Sequence, residues 1–490
     1  MTTERSLLVP LVERLCEARV LCLGDVMLDS FVYGAVDRIS PEAPIPVLRV
    51  EHEARMLGGA GNVVRNLAAL GARTHFVTAL GDDAAGTEVR RLLADEPAVT
   101  AAVQVEAGRQ TIIKTRYIAG TQQMLRADRE RVQAAGGAVR AALLADAEAA
   151  LKDHGVTVLS DYGKGLLDDE TLGRVIAAAR AGGGRVVIDP KGTDWRRYRG
   201  ATLLTPNLKE LAAACGRTLA DGDAIAAAAG EVIAALGLEA LLVTRSRDGM
   251  TLVGADGSAR HLAAEAREVF DVSGAGDTVV AALAAALAVG APLDQAAALA
   301  NVAAGIVVGK VGTAVAYPED LVAQLHHQDL TQAEAKVLSR AQAQDRVAAW
   351  RRRGLSVGFT NGCFDLLHPG HVSLLAQARG QCDRLVVGLN SDASVQRLKG
   401  PERPVQGEAA RAAVLASLAS VDAVVLFAED TPLELITALG PDVLVKGADY
   451  SLDQVVGREV VEGRGGRVFL AELAPGHSTT ATIRRLAGRG

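Results

Sequence analysis

Short apolar runs that alternate with Ala-rich helical patterns constrain the fold of this chain more than any other feature. Strands that are covered on both faces of a sheet have continuous apolar sequences of this type. In the first part of the chain, helical patterns at residues 170–181 and 223–236 separate such runs, which lie at residues 19–24, 156–159, 185–188 and 241–244. The pattern predicts an α/β fold with a doubly wound, mainly parallel sheet. Residues 30–50 and 103–126 alternate apolar and polar side chains instead, and we expect them to form a small β lid.

The alternation stops near residue 320 and starts again at Leu355. The stretch between is polar, rich in Gln and Arg, and has a helical period. After it come apolar runs at residues 384–388, 423–427 and 442–446. A tail of this length suits a compact second α/β domain with a Rossmann-like sheet. The expected parts are therefore a first domain over residues 1–325, a linker and helix over residues 326–353, and a second domain over residues 354–490.

Composition and charge exclude several classes of function. The chain has 52 Lys and Arg against 58 Asp and Glu, and only 3% of its residues are aromatic. We therefore expect neither a nucleic-acid surface nor a membrane surface. Five cysteines without a CxxC pair fit a reducing, cytoplasmic compartment better than a disulfide framework. The N-terminus is too charged for a signal peptide. The apolar run at residues 278–293 is shorter than the ~20 residues of a membrane span, and it predicts a buried helix.

A segment of small residues, DVSGAGDT at residues 271–278, directly precedes the Ala-rich helix. Small residues let backbone amides converge, and a helix start adds positive potential, so the segment could hold a phosphate or a developing oxyanion. Asp277 would lie in the first helical turn, where a carboxylate could accept a proton from an attacking hydroxyl. An ordinary helix start with an acidic first turn has the same sequence pattern, and the segment alone leaves both interpretations open.

Three further segments favour a catalytic interpretation. A Gly-rich helix start, GGAGNV, lies at residues 58–63, and Asp25 and Asp29 follow the first predicted strand, where loops commonly carry ligands. NLKE at residues 207–210 follows another strand. Together with DVSGAGDT, these segments resemble the ribokinase-type carbohydrate kinases over roughly residues 18–318.

The resemblance implies roles for individual residues in a phosphoryl transfer that depends on positioning and charge stabilisation. Asp277 is the implied general base, and the implied anion hole consists of Gly274, Ala275 and Gly276. Glu210 is the implied contact to Mg²⁺. The implied nucleotide contacts are Asn207, Glu210, Thr244 and Gly249. The implied sugar contacts are Asp25, Asp29, Gly58, Gly59 and Asn62.

The second domain begins with its own motif, TNGCFDLLHPGH at residues 360–371, in which a Pro-Gly turn leads into a helix. His368 and His371 could donate hydrogen bonds to a nucleotide phosphate. A metal site and two unrelated surface histidines are the alternatives, but no third metal ligand is evident nearby. The motif resembles the cytidylyltransferase-like nucleotidyltransferases, as do VKGADY at residues 445–450 and STTATIR at residues 478–484. Class I aminoacyl-tRNA synthetases share the HxGH element, but no KMSKS-like segment is present.

This second resemblance implies that the domain neutralises charge between two anionic reactants. The implied catalytic residues are His368 and His371. The implied nucleotide contacts are Asn361, Gly362, Phe364 and Lys446, and those to the leaving pyrophosphate are Ser478, Thr479, Thr480 and Arg484.

The order of motifs over nearly the full chain resembles the family of bifunctional heptose kinase/adenylyltransferases that make ADP-heptose for the lipopolysaccharide core. The resemblance implies ATP and heptose phosphates as substrates, Mg²⁺ as cofactor, and a separate phosphatase that acts between the two reactions. A homodimer is also expected, with residues 30–50 as a shared lid. Cations must hold the distal phosphate of the kinase substrate; the candidates are Lys164, Arg116 and Arg126, although a solvated strand face equally explains the two arginines.

Some alternatives stay open on sequence alone. Lys399 and Arg403 could contact phosphates in the second domain, or belong to a charged loop bounded by prolines. A similar kinase joined to a cytidylyltransferase for a polyol phosphate is a second possible enzyme. A sugar-phosphate sensor without catalysis is a third possibility, which the intact GAGD segment disfavours.

Overall fold

The structure, a computed structural model, describes residues 8–120, 122–265, 271–310, 312–448 and 450–472, without the side chains of residues 327–333. The chain divides into two compact units, the first over residues 7–325 and the second from residue 326 onward.

The strands of the first unit form two sheets. They are β1 (Arg19–Gly24), β2 (Val26–Ile39), β3 (Pro46–Gly59), β4 (Arg73–Gly81), β5 (Val99–Glu106), β6 (Ile112–Ala119), β7 (Gln122–Arg129), β8 (Val156–Ser160), β9 (Arg185–Asp189), β10 (Leu203–Leu204), β11 (Ala240–Thr244), β12 (Met250–Gly254) and β13 (Ala259–Leu262). Nine of them make the main sheet in the order β13-β12-β11-β10-β9-β8-β1-β4-β5. It is parallel except for β12 and β13 at one edge. The parallel sheet confirms the prediction from the continuous apolar runs.

Helices cover the main sheet on both faces, which confirms the doubly wound arrangement. They are α1 (Leu8–Arg14), α2 (Ala60–Ala69), α3 (Ala84–Ala94), α4 (Gly137–Ala150), α5 (Asp169–Ala181), α6 (Leu208–Cys215), α7 (Gly222–Leu236), α8 (Ala275–Ala288), α9 (Leu293–Val308) and α10 (Pro318–Glu334). One apolar core contains side chains from α2, α8 and α9, and the other contains side chains from α4, α5 and α7. Every side chain of α8 from Asp277 to Leu287 is buried, which confirms the buried helix expected from the apolar run.

Capping residues set the ends of two helices whose patterns were predicted at residues 170–181 and 223–236. The side chain of Asp168 accepts a hydrogen bond from the Thr171 amide at 2.9 Å and begins α5. Asp221 does the same for the Ala224 amide at 2.8 Å and begins α7. Gly237 ends α7 with a φ of 70°, a left-handed conformation that glycine adopts without strain.

The second sheet of the first unit has four strands in the order β3-β2-β6-β7, and we call it the lid sheet. It contains residues 30–39 and 46–50, as predicted. The expectation that the lid includes residues 103–106 is wrong. They end β5, which pairs with β4 at the edge of the main sheet, so the second lid segment starts only at Ile112. Their partly polar alternation is that of a half-covered edge strand.

The second unit contains one parallel sheet in the order β14-β17-β16-β15-β18-β19. Its elements are β14 (Val337–Leu338), α11 (Arg340–Arg352), β15 (Val357–Gly362), α12 (Pro369–Arg379), β16 (Arg384–Asn390), α13 (Asp392–Lys399), α14 (Glu408–Ala416), β17 (Ala423–Phe427), α15 (Leu433–Leu439), β18 (Val443–Gly447), α16 (Arg458–Glu462) and β19 (Arg467–Ala471). The helix expected within residues 326–353 is α11. Its Val347 and Trp350 are buried in the core of this unit, so the helix is part of the domain's packing.

In each unit the order of the strands reverses at one point of the sheet. In the first unit this point lies between β1 and β8, and in the second unit it lies between β15 and β18. The crevice at the carboxyl ends of the strands that flank such a switch point is where open α/β sheets bind ligands. Among the described residues, no helix is long and apolar enough to cross a membrane.

Candidate active sites

At the switch point of the first unit, Asp277 lies in the first turn of α8 and is buried. The side chain of Asn62, on α2, donates a hydrogen bond from Nδ2 to Asp277 Oδ2 at 2.7 Å. The hydroxyl of Tyr162, in the loop after β8, donates to Asp277 Oδ1 at 2.6 Å. The fold thus brings together two predicted site residues that are far apart in sequence, and adds a tyrosine that was not predicted.

Burial raises the pKa of Asp277 to about 6. The hydrogen bonds from Tyr162 and Asn62 lower the pKa, the negative charge of Asp29 raises it, and the positive charge of Lys114 lowers it. A carboxylate with this pKa is mostly ionised at neutral pH and is still a much better proton acceptor than an exposed aspartate. The geometry and the electrostatics therefore suit a general base.

The small residues before Asp277 form the start of α8. Gly274 has a φ of 79°, and a Cβ atom there would lie 2.6 Å from Asn62 Nδ2, so only glycine fits beside the base and its partner. The first amides of a helix have no carbonyl partner within it, and the helix dipole adds positive potential. The Ala275 amide bonds to the Val272 carbonyl at 3.3 Å, so an anion site would use the amides that follow, beginning with Gly276.

Asp29 and Arg116, two of the predicted substrate contacts, form an ion pair on the lid sheet. Arg116 Nη1 lies 3.0 Å from Asp29 Oδ1, and both side chains are largely buried. The guanidinium also lies 5.0 Å from the centre of the Phe31 ring. A Cβ atom on Gly58 would lie 2.5 Å from Asp29 Oδ2, so this glycine makes room for the carboxylate. Gly59, which has a φ of 58°, then turns the chain into α2.

Asp25 holds the loop that carries Tyr162. Its Oδ2 accepts a hydrogen bond from the Lys164 amide at 3.1 Å, and its Oδ1 accepts one from the Leu166 amide at 3.2 Å. Asp161 accepts a bond from the Gly163 amide at 2.7 Å. Both oxygens of Asp25 therefore already bind backbone amides, a role as loop anchor that the sequence did not predict.

The cations that we expect to hold the distal phosphate form ion pairs with acidic side chains. Lys164 Nζ lies 2.8 Å from Glu130 Oε1, and Arg126, half exposed, pairs with Asp128 at 3.0 Å. Lys114 was not predicted, although it is opposite Asp29 in the β2–β6 register and two residues before Arg116. Its ammonium lies 5.8 Å from the centre of the Tyr162 ring, and burial lowers its pKa. Within the described ranges, no acidic side chain lies at ion-pair distance from Lys114.

The predicted nucleotide contacts lie at the carboxyl ends of β10 and β11. Asn207 and Glu210 form a capping box at the start of α6, in which each side chain accepts the other residue's amide at 3.0 Å. The backbone of Asn207 also bridges to Thr244. Glu210 Oε1 lies 3.2 Å from Lys191 Nζ. Gly249 has a φ of 83° and closes the turn after Thr244.

At the switch point of the second unit, a cavity of about 730 Å³ opens at the carboxyl ends of β15 and β18. All six predicted site residues that the structure describes in this unit line it: Asn361, Gly362, Phe364, His368, His371 and Lys446. Lys446 Nζ donates a hydrogen bond to Asn361 Oδ1 at 2.5 Å. Ser478, Thr479, Thr480 and Arg484 lie outside the described residues.

The two histidines of the motif stack on each other, with ring centres 3.8 Å apart. Burial and, to a smaller extent, the neighbouring His368 imidazole together lower the pKa of His371 to about 4. A desolvated imidazole beside a second imidazole stays uncharged at neutral pH, so we do not expect His371 to add positive charge to the site. A neutral His371 can still donate one hydrogen bond to a phosphate oxygen.

A buried arginine and a buried aspartate fasten the loop that carries Lys399 and Arg403 to this cavity, and neither was predicted. Asp365 accepts hydrogen bonds from the Val405 and Gln406 amides at 2.7 and 3.1 Å and pairs with Arg403. The guanidinium of Arg411 is fully buried. It donates to the Cys363 and Gln406 carbonyls at 2.6 and 3.0 Å and to Asp392 at 2.7 Å. Both Lys399 and Arg403 line the cavity.

In the parts of the chain that are described, no group of three or more His, Cys, Asp or Glu side chains is placed to hold a metal ion. The absence of such a group from the described residues is compatible with Mg²⁺ that arrives with ATP, since Mg²⁺ is usually bound by phosphates, water and one or two carboxylates.

Two known protein families match two separate parts of the chain. The model of the pfkB family of carbohydrate kinases matches residues 17–320, and the cytidylyltransferase-like model matches residues 359–485. In solved structures, phosphofructokinase-2 from Escherichia coli in complex with potassium shares the fold with a TM-score of 0.54 and 24% identity, over 63% of this chain and 99% of that one. Ribokinase from Arabidopsis thaliana, complexed with ribose and ATP, has a TM-score of 0.51 and 20% identity, over 63% and 98% of the two chains.

Curated relatives match the chain over almost its whole length. The bifunctional protein HldE of Paramagnetospirillum magneticum is 63% identical over 486 residues, which is 99% of this chain and 100% of the relative. HldE of Rhodospirillum rubrum is 59% identical over 98% of this chain and 97% of the relative. The chain therefore belongs to the HldE family of bifunctional proteins, and joins a pfkB-type carbohydrate kinase to a cytidylyltransferase-like nucleotidyltransferase.

Proposed function

We propose that the two units catalyse two reactions of ADP-heptose biosynthesis for the lipopolysaccharide core. The first unit uses ATP to phosphorylate D-glycero-β-D-manno-heptose 7-phosphate at C1, which gives the 1,7-bisphosphate. The second transfers an adenylyl group from ATP to the heptose 1-phosphate, which gives ADP-heptose and pyrophosphate. The observation that carries the proposal is the presence of two chemically different crevices, one around a buried carboxylate at a helix start and one around stacked imidazoles, each at a switch point.

In the kinase reaction, Asp277 accepts the proton of the C1 hydroxyl as that oxygen attacks the γ-phosphorus of ATP. A bond forms between O1 and the γ-phosphorus, the bond to the β–γ bridging oxygen breaks, and ADP leaves. The amides at the start of α8 stabilise the negative charge on the transferred group. Lys114, close to the base and partly buried, is the cation that we assign to the sugar side of the site, where it faces the substrate's own negative charge.

In the adenylyl transfer, a phosphate oxygen of the sugar 1-phosphate attacks the α-phosphorus of ATP, and the bond to pyrophosphate breaks. The attacking oxygen is already anionic, so no base is needed. Lys446 supplies positive charge, and His368 and His371 supply hydrogen bonds to the triphosphate. We assign nucleotide contacts to Asn361, Gly362 and Phe364, and pyrophosphate contacts to Ser478, Thr479, Thr480 and Arg484.

The proposed function also includes a metal cofactor, a separate partner enzyme and a homodimer. Mg²⁺ bound to the ATP phosphates would add positive charge, and the partly exposed carboxylate of Glu210 is the residue that we assign to it in the kinase site. A separate phosphatase would remove the 7-phosphate between the two steps, in the cytoplasm. We also propose a homodimer through the lid sheet, because β7 is exposed along its whole length and Ile39, Val50 and Leu125 are more than half exposed.

The test is incubation of the full chain with ATP, Mg²⁺ and candidate sugar 7-phosphates or sugar 1-phosphates, followed by mass spectrometry. We expect a 1,7-bisphosphate from the first substrate class and ADP-heptose from the second. Asp277→Asn should lower the kinase rate about 10²–10⁴-fold and spare adenylyl transfer, because a general base contributes about that factor. His371→Ala should do the reverse. Preference for CTP over ATP in the second reaction would refute the adenylyl assignment, and sugar-phosphate binding without turnover would favour a sensor.

A further inference from the structure

The carboxylate of Asp277 accepts one hydrogen bond at each of its two oxygens, and one of the two donors lies outside the Gly-rich helix starts. Asn62 is part of the Gly-rich helix start, but Tyr162 comes from the loop between β8 and α5. Its hydroxyl lies 2.6 Å from Asp277 Oδ1, a short distance typical of a hydroxyl bonded to a charged carboxylate. The tyrosine thus touches the base of the proposed kinase reaction directly.

The loop that carries Tyr162 is fastened on two sides, so the tyrosine has little freedom to leave the base. Asp25 accepts bonds from the amides of Lys164 and Leu166, and Asp161 accepts one from the amide of Gly163. Asp161 is itself held by the hydroxyl of Tyr198 at 2.7 Å. Two buried carboxylates, each of which accepts more than one hydrogen bond, thus hold a loop of eight residues and fix the position of one phenol.

The phenol of Tyr162 is a permanent donor in the range of pH where enzymes are assayed. Burial raises the pKa of its hydroxyl well above the ordinary value of a tyrosine, and the negative charge of Asp277 raises it further. The hydroxyl therefore stays protonated, and its proton has one carboxylate oxygen to bond. Such a bond favours the ionised carboxylate over the protonated acid.

We propose that Tyr162 is a positioning residue for the kinase reaction, which holds Asp277 ionised and oriented so that the buried carboxylate can take the proton of the sugar hydroxyl. The inference rests on the proposed role of Asp277 as the base. Burial by itself favours the neutral acid, which cannot accept a proton. The hydrogen bonds from Tyr162 and Asn62 oppose that effect.

Other groups also act on the charge of Asp277, and the expected pH profile includes them. Asp29 on β2 and Asp189 at the end of β9 favour the neutral acid, whereas Lys114 on β6 favours the carboxylate. Cys22 on β1 faces the same region, but burial raises the pKa of its thiol far above neutral, so it carries no charge there. Tyr162→Phe removes one hydroxyl and leaves each of these side chains in place, so the substitution tests one hydrogen bond to Asp277.

The experiment measures kcat/KM for the sugar 7-phosphate against pH in the full chain, for the wild type and for Tyr162→Phe. With a pKa of about 6, half of Asp277 is ionised at pH 6. Loss of one hydrogen bond to the carboxylate should raise its pKa by about one unit. The ionised fraction then falls about five-fold at pH 6 and about two-fold at pH 7, and is unchanged at pH 8.5. The acid limb of the profile should therefore move to higher pH.

Tyr198→Phe is the matched control, because it removes a hydroxyl that fastens the same loop through Asp161 without touching Asp277. It should lower the rate by the same factor at every pH and leave the acid limb in place. A second variant with 3-fluorotyrosine at position 162 keeps the ring and makes the hydroxyl a stronger donor, so its acid limb should move to lower pH. This variant tests the inference even if the phenylalanine variant does not fold.

An acid limb that stays at the wild-type pH in both Tyr162 variants would overturn the inference. The base assignment is tested separately by Asp277→Asn. If that variant keeps the kinase rate, the proposed function of Asp277 fails. If it abolishes the rate and the limb does not respond to Tyr162, the inference on Tyr162 alone fails.

Discussion

Replacement of Arg411 by methionine should destabilise the second unit strongly, although the side chain lies beneath the cavity and not in it. The guanidinium is fully buried and holds two backbone carbonyls and the carboxylate of Asp392. A buried acceptor that loses its partner costs about 1–3 kcal/mol, so the Cys363 and Gln406 carbonyls together account for roughly 2–6 kcal/mol. Asp392 is partly exposed and regains water, so its loss adds little. We expect the free energy of unfolding to fall by about 3–5 kcal/mol.

The assay is urea denaturation of the full chain, followed through the adenylyl transfer activity that survives at each concentration. Arg458→Met is the matched control, because Arg458 also forms two ion pairs, with Asp453 and Glu462, but on the surface. It should cost less than about 1 kcal/mol. The kinase rate in the absence of urea should be unchanged in both variants. Equal destabilisation by the two variants, or a loss below about 1 kcal/mol for Arg411→Met, would refute the reasoning from burial.

Three further predictions concern the two sites. Lys114→Met should raise KM for the sugar 7-phosphate about ten-fold or more with KM for ATP unchanged, as steady-state kinetics would show; equal changes in both would place Lys114 elsewhere. Gly58→Ala should displace the Asp29 carboxylate from Arg116, because the new Cβ atom would lie 2.5 Å from Oδ2, and should weaken sugar binding in calorimetry. The adenylyl rate should be nearly constant between pH 6 and 8, since His371 is already neutral there, whereas the kinase rate should fall below about pH 6 as Asp277 is protonated; a shared acid limb would contradict the assignments.

The main features of the fold could be predicted from the sequence because they depend on continuous apolar strands and on capping residues. β1 has the same bounds as the predicted run at residues 19–24, and α7 begins and ends at capping residues that are visible in the sequence. The assignment of residues 103–106 to the lid failed because an edge strand of the main sheet has the same partly polar alternation as a lid strand. The alternation of apolar and polar residues indicates how much of a strand's surface is buried, but it does not indicate to which sheet the strand belongs.

The motif residues of both sites could be predicted, but their partners could not. Asn62 and Asp277 come from two separate Gly-rich helix starts, and their hydrogen bond depends on how α2 and α8 pack. The sequence motifs assign no role to Tyr162 or to Lys114. Only the β2–β6 register, which places Lys114 opposite Asp29, brings the lysine into the site. Arg411 looks like an ordinary helix residue in the sequence, because nothing local shows that its side chain points into the core.

Burial has different consequences for the titratable groups of the two sites. In the first unit, burial favours the neutral form of Asp277, and the hydrogen bonds from Tyr162 and Asn62 oppose it, so that the carboxylate can act as the proposed base. In the second unit, burial keeps His371 neutral, and nothing is needed to oppose it, because the attacking sugar phosphate brings its own negative charge. A kinase that deprotonates a hydroxyl needs a tuned proton acceptor, whereas a transferase whose nucleophile is already ionised needs only donors and fixed cations. The difference in hydrogen-bond support around Asp277 and His371 follows from the chemistry of the two nucleophiles.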